Sequence, residues 1–395
     1  MKGSSNNKKL NDDRVLKLNN VEYIKSLGMK VSGTFYWVAL ACQVWLWSCK
    51  QQTVPVTSPD AQAVAVDSSR FFTNPIAEGA DPWVLKMDSV YYSCGAGRGG
   101  IYVSKSSTLT QLGKRVQVWS APEEGWNAHN IWAPEIHYLQ GKWYIYYTAG
   151  KVRGGPYIHQ RSGVLESTTN SPFGPYRDRG MLYTGDNMDD SSSVKWAIDL
   201  SPFYLNGQLY AVWSGWEENA LTDKTKQHLF IARMSNPYTI SSNRVKISSP
   251  TETWETGGEL DLNEGPQILK KNEKAFVIYS TRESWLKEYR LGQLTLADTL
   301  MDPMQSKNWK KSDGPVFQGT DQVLGVGHCS FTKSPDNTED WILYHAKKSA
   351  TPGWQRNIRA QKFTWTINGY PQFGEPVPAG VPIPLPSGSN STIAH

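Results

Sequence analysis

Cysteine is scarce in this chain: four in 395 residues, at positions 42, 49, 94 and 329. That is too few for a disulfide framework. Charge is thin as well, with Asp, Glu, Lys and Arg making up 19% of residues. The net +5 sits at the amino end, where seven Lys and Arg face three Asp and Glu before Cys49, leaving 34 against 33 in the rest. No basic face for nucleic acid follows from it. With 39% hydrophobic residues there is ample material for a core, which excludes global disorder. Aromatic residues are abundant: 17 Trp and 19 Tyr stand beside 33 Gly and 23 Pro. That mixture favours many short strands and turns over long helices.

The amino end reads as an export signal. Met29-Lys30 precedes a mostly apolar, uncharged run from Val31 to Ser48, and Leu46-Trp47-Ser48-Cys49 has the layout of a lipoprotein cleavage site. On this reading residues 29–48 are a bacterial signal peptide and Cys49 becomes a lipidated amino terminus on the cell envelope. An uncleaved anchor or an ordinary signal peptide is the alternative. Residues 1–28 are then an upstream artefact or disordered extension. Residues 49–69, polar and without periodicity, are a tether. Residues 70–384 form the folded domain, and 385–395 are a disordered tail. Cys94 and Cys329 are left as buried thiols or one bridge.

Self-comparison reveals a repeated unit: a small residue or Pro, a few alternating apolar residues, a turn, and an aromatic-rich strand ending in a small residue. Copies start at Asp81, Ala133, Ser201, Gly265 and His328, separated by 52, 68, 64 and 63 residues. Gln140-Gly141, Asn206-Gly207 and Lys271-Asn272 are hairpin turns between runs of period two. Each unit is a β-hairpin with room for two further strands. Five such sheets bury their faces against one another when arranged radially, so the fold predicted is an all-β, five-bladed β-propeller. A later strand, Arg359 to Trp365, is available to close the ring.

Acidic residues recur just ahead of the first strand of three units: Asp81, Asp199 and Glu264. Innermost strands surround the axis, so these carboxylates converge at one mouth. Their repulsion pushes at least one pKa upward and divides them into an acid and a base. Two such carboxyls are the machinery of glycoside hydrolysis. Taken singly, each is better explained as a turn cap.

Four stretches in order carry a family resemblance: Asn74-Pro-Ile…Gly79-Ala-Asp81-Pro-Trp-Val, Asn130-Ile-Trp-Ala-Pro-Glu-Ile-His137, Ala197-Ile-Asp199-Leu-Ser-Pro, and Asn263-Glu264-Gly-Pro-Gln-Ile-Leu. Together they resemble glycoside hydrolase family 43, from Asn74 to Pro378. The resemblance implies a five-bladed propeller and inversion at the sugar carbon. It makes Asp81 the general base, Glu264 the general acid, and Asp199 the group that orients Glu264 and raises its pKa. It implies no cofactor for the chemistry, with a structural calcium near His328 as an option. A hydrogen-bonded, metal-free His328 is the alternative. Trp83 and Trp132 are candidate sugar platforms or core residues, and Arg282 a candidate substrate contact or surface ion pair. Glu135, inside its strand, is assigned a structural role.

Gly327-His328-Cys-Ser-Phe and Phe373-Gly-Glu-Pro resemble arabinose-releasing members. The expected activity is therefore an exo-acting α-L-arabinofuranosidase on arabinose- or xylose-containing polysaccharide. A β-xylosidase, an endo-arabinanase and a galactose-releasing enzyme follow. A lipid-anchored carbohydrate-binding propeller without activity is the reading from another class.

Overall fold

The computed structural model describes residues 68–389. The signal segment, Cys49, nearly all of the tether and the last residues of the tail lie outside the described residues.

Five antiparallel sheets follow one another along the chain. Blade one comprises Trp83–Met87, Val90–Gly97, Gly100–Ser106 and Val116–Ser120. Blade two comprises His129–Leu139, Lys142–Gly150, Arg161–Ser167 and Tyr176–Met181. Blade three has Ala197–Leu205, Gln208–Gly215 and His228–Asn236, with Thr239–Ile240 and Val245–Ser248 outside them. Blade four has Asn263–Lys271, Lys274–Thr281 and Arg290–Leu296, with Trp309–Lys311 and Phe317–Gln318 outermost. Blade five has Leu324–Lys333, Asp340–Lys347 and Arg356–Trp365. The first strand of every blade touches the first strand of the next, and the fifth touches the first. The five-bladed propeller expected from the repeats is the fold.

Two-residue turns set the hairpin registers. Leu139 pairs with Lys142 across Gln140-Gly141, and Leu205 with Gln208 across Asn206-Gly207. All four turn residues have positive φ, the twist that suits a hairpin. In blade four Lys271 pairs with Lys274, so the turn is Asn272-Glu273, one residue later than the sequence signal.

Each junction between blades has its own apolar cluster. Ile101 and Val103 meet Ile145 and Leu165 between blades one and two, and Tyr146 meets Trp213 between two and three. Val212 and Ile231 meet Val277 and Leu294 between three and four, and Ile278 meets Ile342 between four and five. Val84 and Tyr91 meet Trp341 and Leu343 where the ring closes. Burying each such side chain is worth about 1.5–3 kcal/mol, so no blade is stable without its neighbours.

Closure also uses the backbone. Ala77–Glu78, which precedes blade one, pairs with Arg356–Trp365 of blade five, and Phe71–Phe72 pairs with Ile383–Pro384. Buried Asn74 exchanges two hydrogen bonds with Ala360, at 3.0 and 2.9 Å. The closing role expected of the Arg359–Trp365 segment is thus filled by a longer strand. Cys94 and Cys329 are both buried and both free.

Candidate active site

Each blade has a left-handed residue just before its first strand or within that strand's first five residues. Asp81, Ala133, Asp199, Gly265 and His328 have φ of 50°, 39°, 56°, 55° and 42°. In blades two to five the pairing register slips at this point, a bulge that redirects the neighbouring side chains. For residues other than glycine the conformation costs about 1–3 kcal/mol and must be held by its surroundings. Second strands hold it: the Asp199 N–H donates to Thr148 Oγ1 at 3.1 Å and the His328 N–H to Ser280 Oγ at 2.8 Å. The Asp81 N–H donates to His345 Nδ1 at 3.2 Å. Asp81 and Asp199 therefore share one place in the repeat, whereas Glu264 sits one residue before it. Asp199 and Glu264 also lie within their first strands, correcting the expectation that all three precede them.

The three carboxyls line one cavity of about 500 Å³, with His328, Arg356, Trp132 and Trp196 also on its wall. Their environments differ. Burial works to raise the Asp81 pKa, but His328, Arg356 and His345 outweigh it and hold this carboxyl well below the usual range. His328 Nδ1, Arg356 Nη1 and His345 Nδ1 stand 3.5, 3.4 and 3.2 Å from Asp81 Oδ1. Glu264 is buried, and burial raises its pKa against the lowering effect of a 2.7 Å hydrogen bond donated by the Tyr289 hydroxyl; the Asp81 charge adds to the rise. Asp199 is also raised, by burial first and by Glu264 and Asp81, with His328 opposing. Its Oδ2 accepts from the Gly265 N–H at 3.0 Å, tying it to the residue after Glu264. One carboxylate is held charged while two are pushed toward keeping a proton.

Other candidates separate. Trp132 lines the cavity and meets Tyr157 edge-on, their ring centroids 4.9 Å apart. Trp83 does not line it. Its indole N–H donates to the Ile136 carbonyl at 2.7 Å and its ring packs against His137, so it is a core residue between blades one and two. Arg282 is off the cavity wall too: its guanidinium donates to the Thr256 carbonyl and lies 3.8 Å from Glu283. Buried Glu135 bonds His137 at 2.9 Å and accepts from Gln267 of blade four, a structural bridge between blades two and four.

His328 lines the cavity beside Asp81. Calcium takes six to eight oxygen ligands. His328 offers a nitrogen, and among the described residues no group of three or more His, Cys, Asp or Glu is arranged to hold a metal ion.

Sequence reasoning missed Tyr289, His345, Arg356, Trp196, Trp285 and Trp354. His345 was legible in principle, since it occupies the place in its second strand that Thr148 and Ser280 hold in theirs. Tyr289 and Arg356 stand where third strands begin and follow no pattern in the repeat.

The model of glycosyl hydrolases family 43 matches residues 72–371. The chain belongs to this family. An extracellular exo-α-(1→5)-L-arabinofuranosidase of Streptomyces avermitilis is 35% identical over 78% of this chain and 64% of its own length. The chain thus spans a little under two thirds of that relative. Alpha-L-arabinofuranosidase 43 of Humicola insolens is 32% identical over 82% of this chain and 67% of its own length. The crystal structure of an α-L-arabinofuranosidase from Lactobacillus brevis superposes with a TM-score of 0.71 at 28% identity, covering 78% of this chain and 98% of that one.

Proposed function

We propose that this family-43 chain is an inverting, exo-acting α-L-arabinofuranosidase, releasing terminal units from arabinose-containing polysaccharide. The observation that carries the chemistry is the division of charge inside one cavity: Asp81 is held ionised, while Glu264 is driven toward its protonated form. Asp81 takes a proton from water as the water oxygen bonds to the anomeric carbon. Glu264 gives its proton to the glycosidic oxygen as the bond from that oxygen to the sugar breaks. Asp199, pinned to Gly265 and itself pushed upward, titrates together with Glu264, so that ionisation of either one favours the proton on the other. Arg356 and His328 hold the Asp81 carboxylate. No cofactor enters these steps.

The sugar comes from the relatives, two of which are named exo-α-(1→5)-L-arabinofuranosidases. An endo-acting reading has weaker support: an arabinanase of Bacillus subtilis is 24% identical over 45% of this chain. A carbohydrate-binding propeller without activity leaves the opposed pKa shifts without a use. Aryl α-L-arabinofuranoside, β-xyloside and galactofuranoside assayed side by side test the choice, with NMR of the first-formed sugar. Preferred cleavage of the arabinofuranoside with an inverted anomer is expected. Inactivity on all three, or retention, overturns the reading.

Export with lipidation at Cys49 is part of the proposal. It rests on the layout of residues 29–49, and two relatives are named extracellular.

A further inference from the structure

Two connections over the cavity are tied together by one buried lysine. Lys347 ends the second strand of blade five and is 5% exposed. Its Nζ donates to the backbone carbonyls of Trp285, from blade four, and of Gly353, from blade five, both at 2.7 Å. The Gly353 N–H donates to the same Trp285 carbonyl at 2.9 Å. Gly325 makes room for the lysine stem: at φ 53°, a Cβ there would lie 2.8 Å from Lys347 Cδ and 2.6 Å from the Leu286 carbonyl oxygen. An ammonium is costly to bury unless it is well hydrogen-bonded. Here it is spent on fixing two loops against each other.

The clamp sets a pair of indoles. Trp285 and Trp354 both line the cavity, with centroids 5.1 Å apart and planes at 53°. Trp354 is 58% exposed, unusual for so large an apolar side chain. Its ring lies 5.5 Å from the guanidinium of Arg356, the residue that also faces Asp81. Core packing does not account for an indole left this open at the mouth of a sugar cavity. A flat apolar face offered to the C–H face of a sugar ring does.

We propose that Trp285 and Trp354 form the binding site for the sugar on the leaving side of the scissile bond, a pentofuranosyl unit of an arabinose-type chain, with Lys347 as the residue that positions them. This rests on the glycosidase reading above. The acid must stand beside the leaving oxygen. Glu264 belongs to blade four, and the connection after that blade's second strand carries Trp285. The leaving sugar therefore lies over blades four and five, across the mouth from Trp132, Tyr157 and Trp196.

The test compares kcat/KM on an α-1,5-linked arabino-oligosaccharide with kcat/KM on 4-nitrophenyl α-L-arabinofuranoside. The nitrophenyl group makes little use of a sugar platform. Trp354→Ala is expected to lower the oligosaccharide-to-aryl ratio by roughly tenfold, and Lys347→Met by a smaller factor in the same direction. An unchanged ratio in Trp354→Ala overturns the proposal. Calorimetric binding of the oligosaccharide to Glu264→Gln, with and without Trp354→Ala, is the second arm and needs no turnover. The same weakening is expected there, and equal binding overturns the platform. A wild-type protein that hydrolyses neither substrate refutes the arabinofuranosidase reading, while the binding arm still judges the platform.

Discussion

The ring of Tyr289 lies within 9° of parallel to that of His345, their centroids 5.3 Å apart. Each ring holds a different one of the two acidic residues. The Tyr289 hydroxyl donates to Glu264 Oε1, and His345 Nδ1 accepts from the Asp81 backbone N–H at 3.2 Å. Both rings are fully buried, so the stack is a fixed strut between the proposed acid and the proposed base. An inverting pair needs its carboxyls roughly 6.5–9.5 Å apart, to seat a water between base and sugar. A rigid strut is one way to keep that span.

Tyr289→Phe keeps the strut and removes one hydrogen bond. That bond favours ionised Glu264, so its loss raises the Glu264 pKa further. The alkaline limb of the kcat/KM profile is set by loss of the acid's proton, which burial holds to higher pH than an ordinary carboxyl keeps it. It should move to higher pH, by up to about one unit. A limb that stays in place, measured on an oligosaccharide substrate, counts against Glu264 as the acid.

Asp199→Asn should move the same limb the other way. Glu264 raises the Asp199 pKa by charge repulsion, and that repulsion is mutual. A neutral neighbour no longer holds the proton on Glu264, so the alkaline limb falls to lower pH and the maximal rate drops. Opposite shifts in Tyr289→Phe and Asp199→Asn are a signature that general loosening of the cavity does not produce.

Gly327→Ala tests the strut itself. A Cβ at Gly327 would stand 2.2 Å from Tyr289 Cε1 and 2.4 Å from Cδ1. The ring must give way, yet it is fully buried and already stacked on His345. Overpacking of this kind costs about 1–3 kcal/mol, read as a lower midpoint in urea. Activity should fall beyond the loss of folded protein, because the hydroxyl leaves Glu264. A variant with wild-type stability and rate contradicts the close packing described.

The repeats made the ring legible because each hairpin writes its own turn, alternation and terminal small residue into the sequence. Asp81, Asp199 and Glu264 were legible for a related reason: they recur near repeat starts. Their roles were not. Those depend on Tyr289, of Glu264's own blade, and on His345 and Arg356, of the blade next to Asp81's, all outside the repeat starts that mark the acids. Trp83 shows the converse failure. It neighbours Asp81 in sequence, but strand alternation turns it into the core, where the Ile136 carbonyl takes its N–H.

Cys49→Ser addresses the amino end. If Cys49 is the lipid site, the variant should leave the detergent phase on partitioning or remain uncleaved, and expression from Met29 should keep export and activity. Equal membrane retention of the variant defeats the lipoprotein assignment without touching the catalytic one.

The roles of the two carboxyls are separated most sharply by the leaving group. A general acid matters in proportion to how badly the departing oxygen needs a proton. The sugar alkoxide of a natural glycoside is a poor leaving group, so Glu264→Ala should slow its hydrolysis by roughly a hundredfold or more. A dinitrophenolate departs unaided, and the same variant should lose far less on a dinitrophenyl arabinofuranoside. Asp81→Ala removes activation of water, which both substrates require, so both rates should fall together. Small nucleophiles such as azide should restore rate only to Asp81→Ala with the activated substrate, since they enter where the water sat. Were Asp81→Ala instead the variant spared by the better leaving group, the assignments of base and acid would have to be exchanged. The low Asp81 pKa set by His328, Arg356 and His345 would then need another explanation.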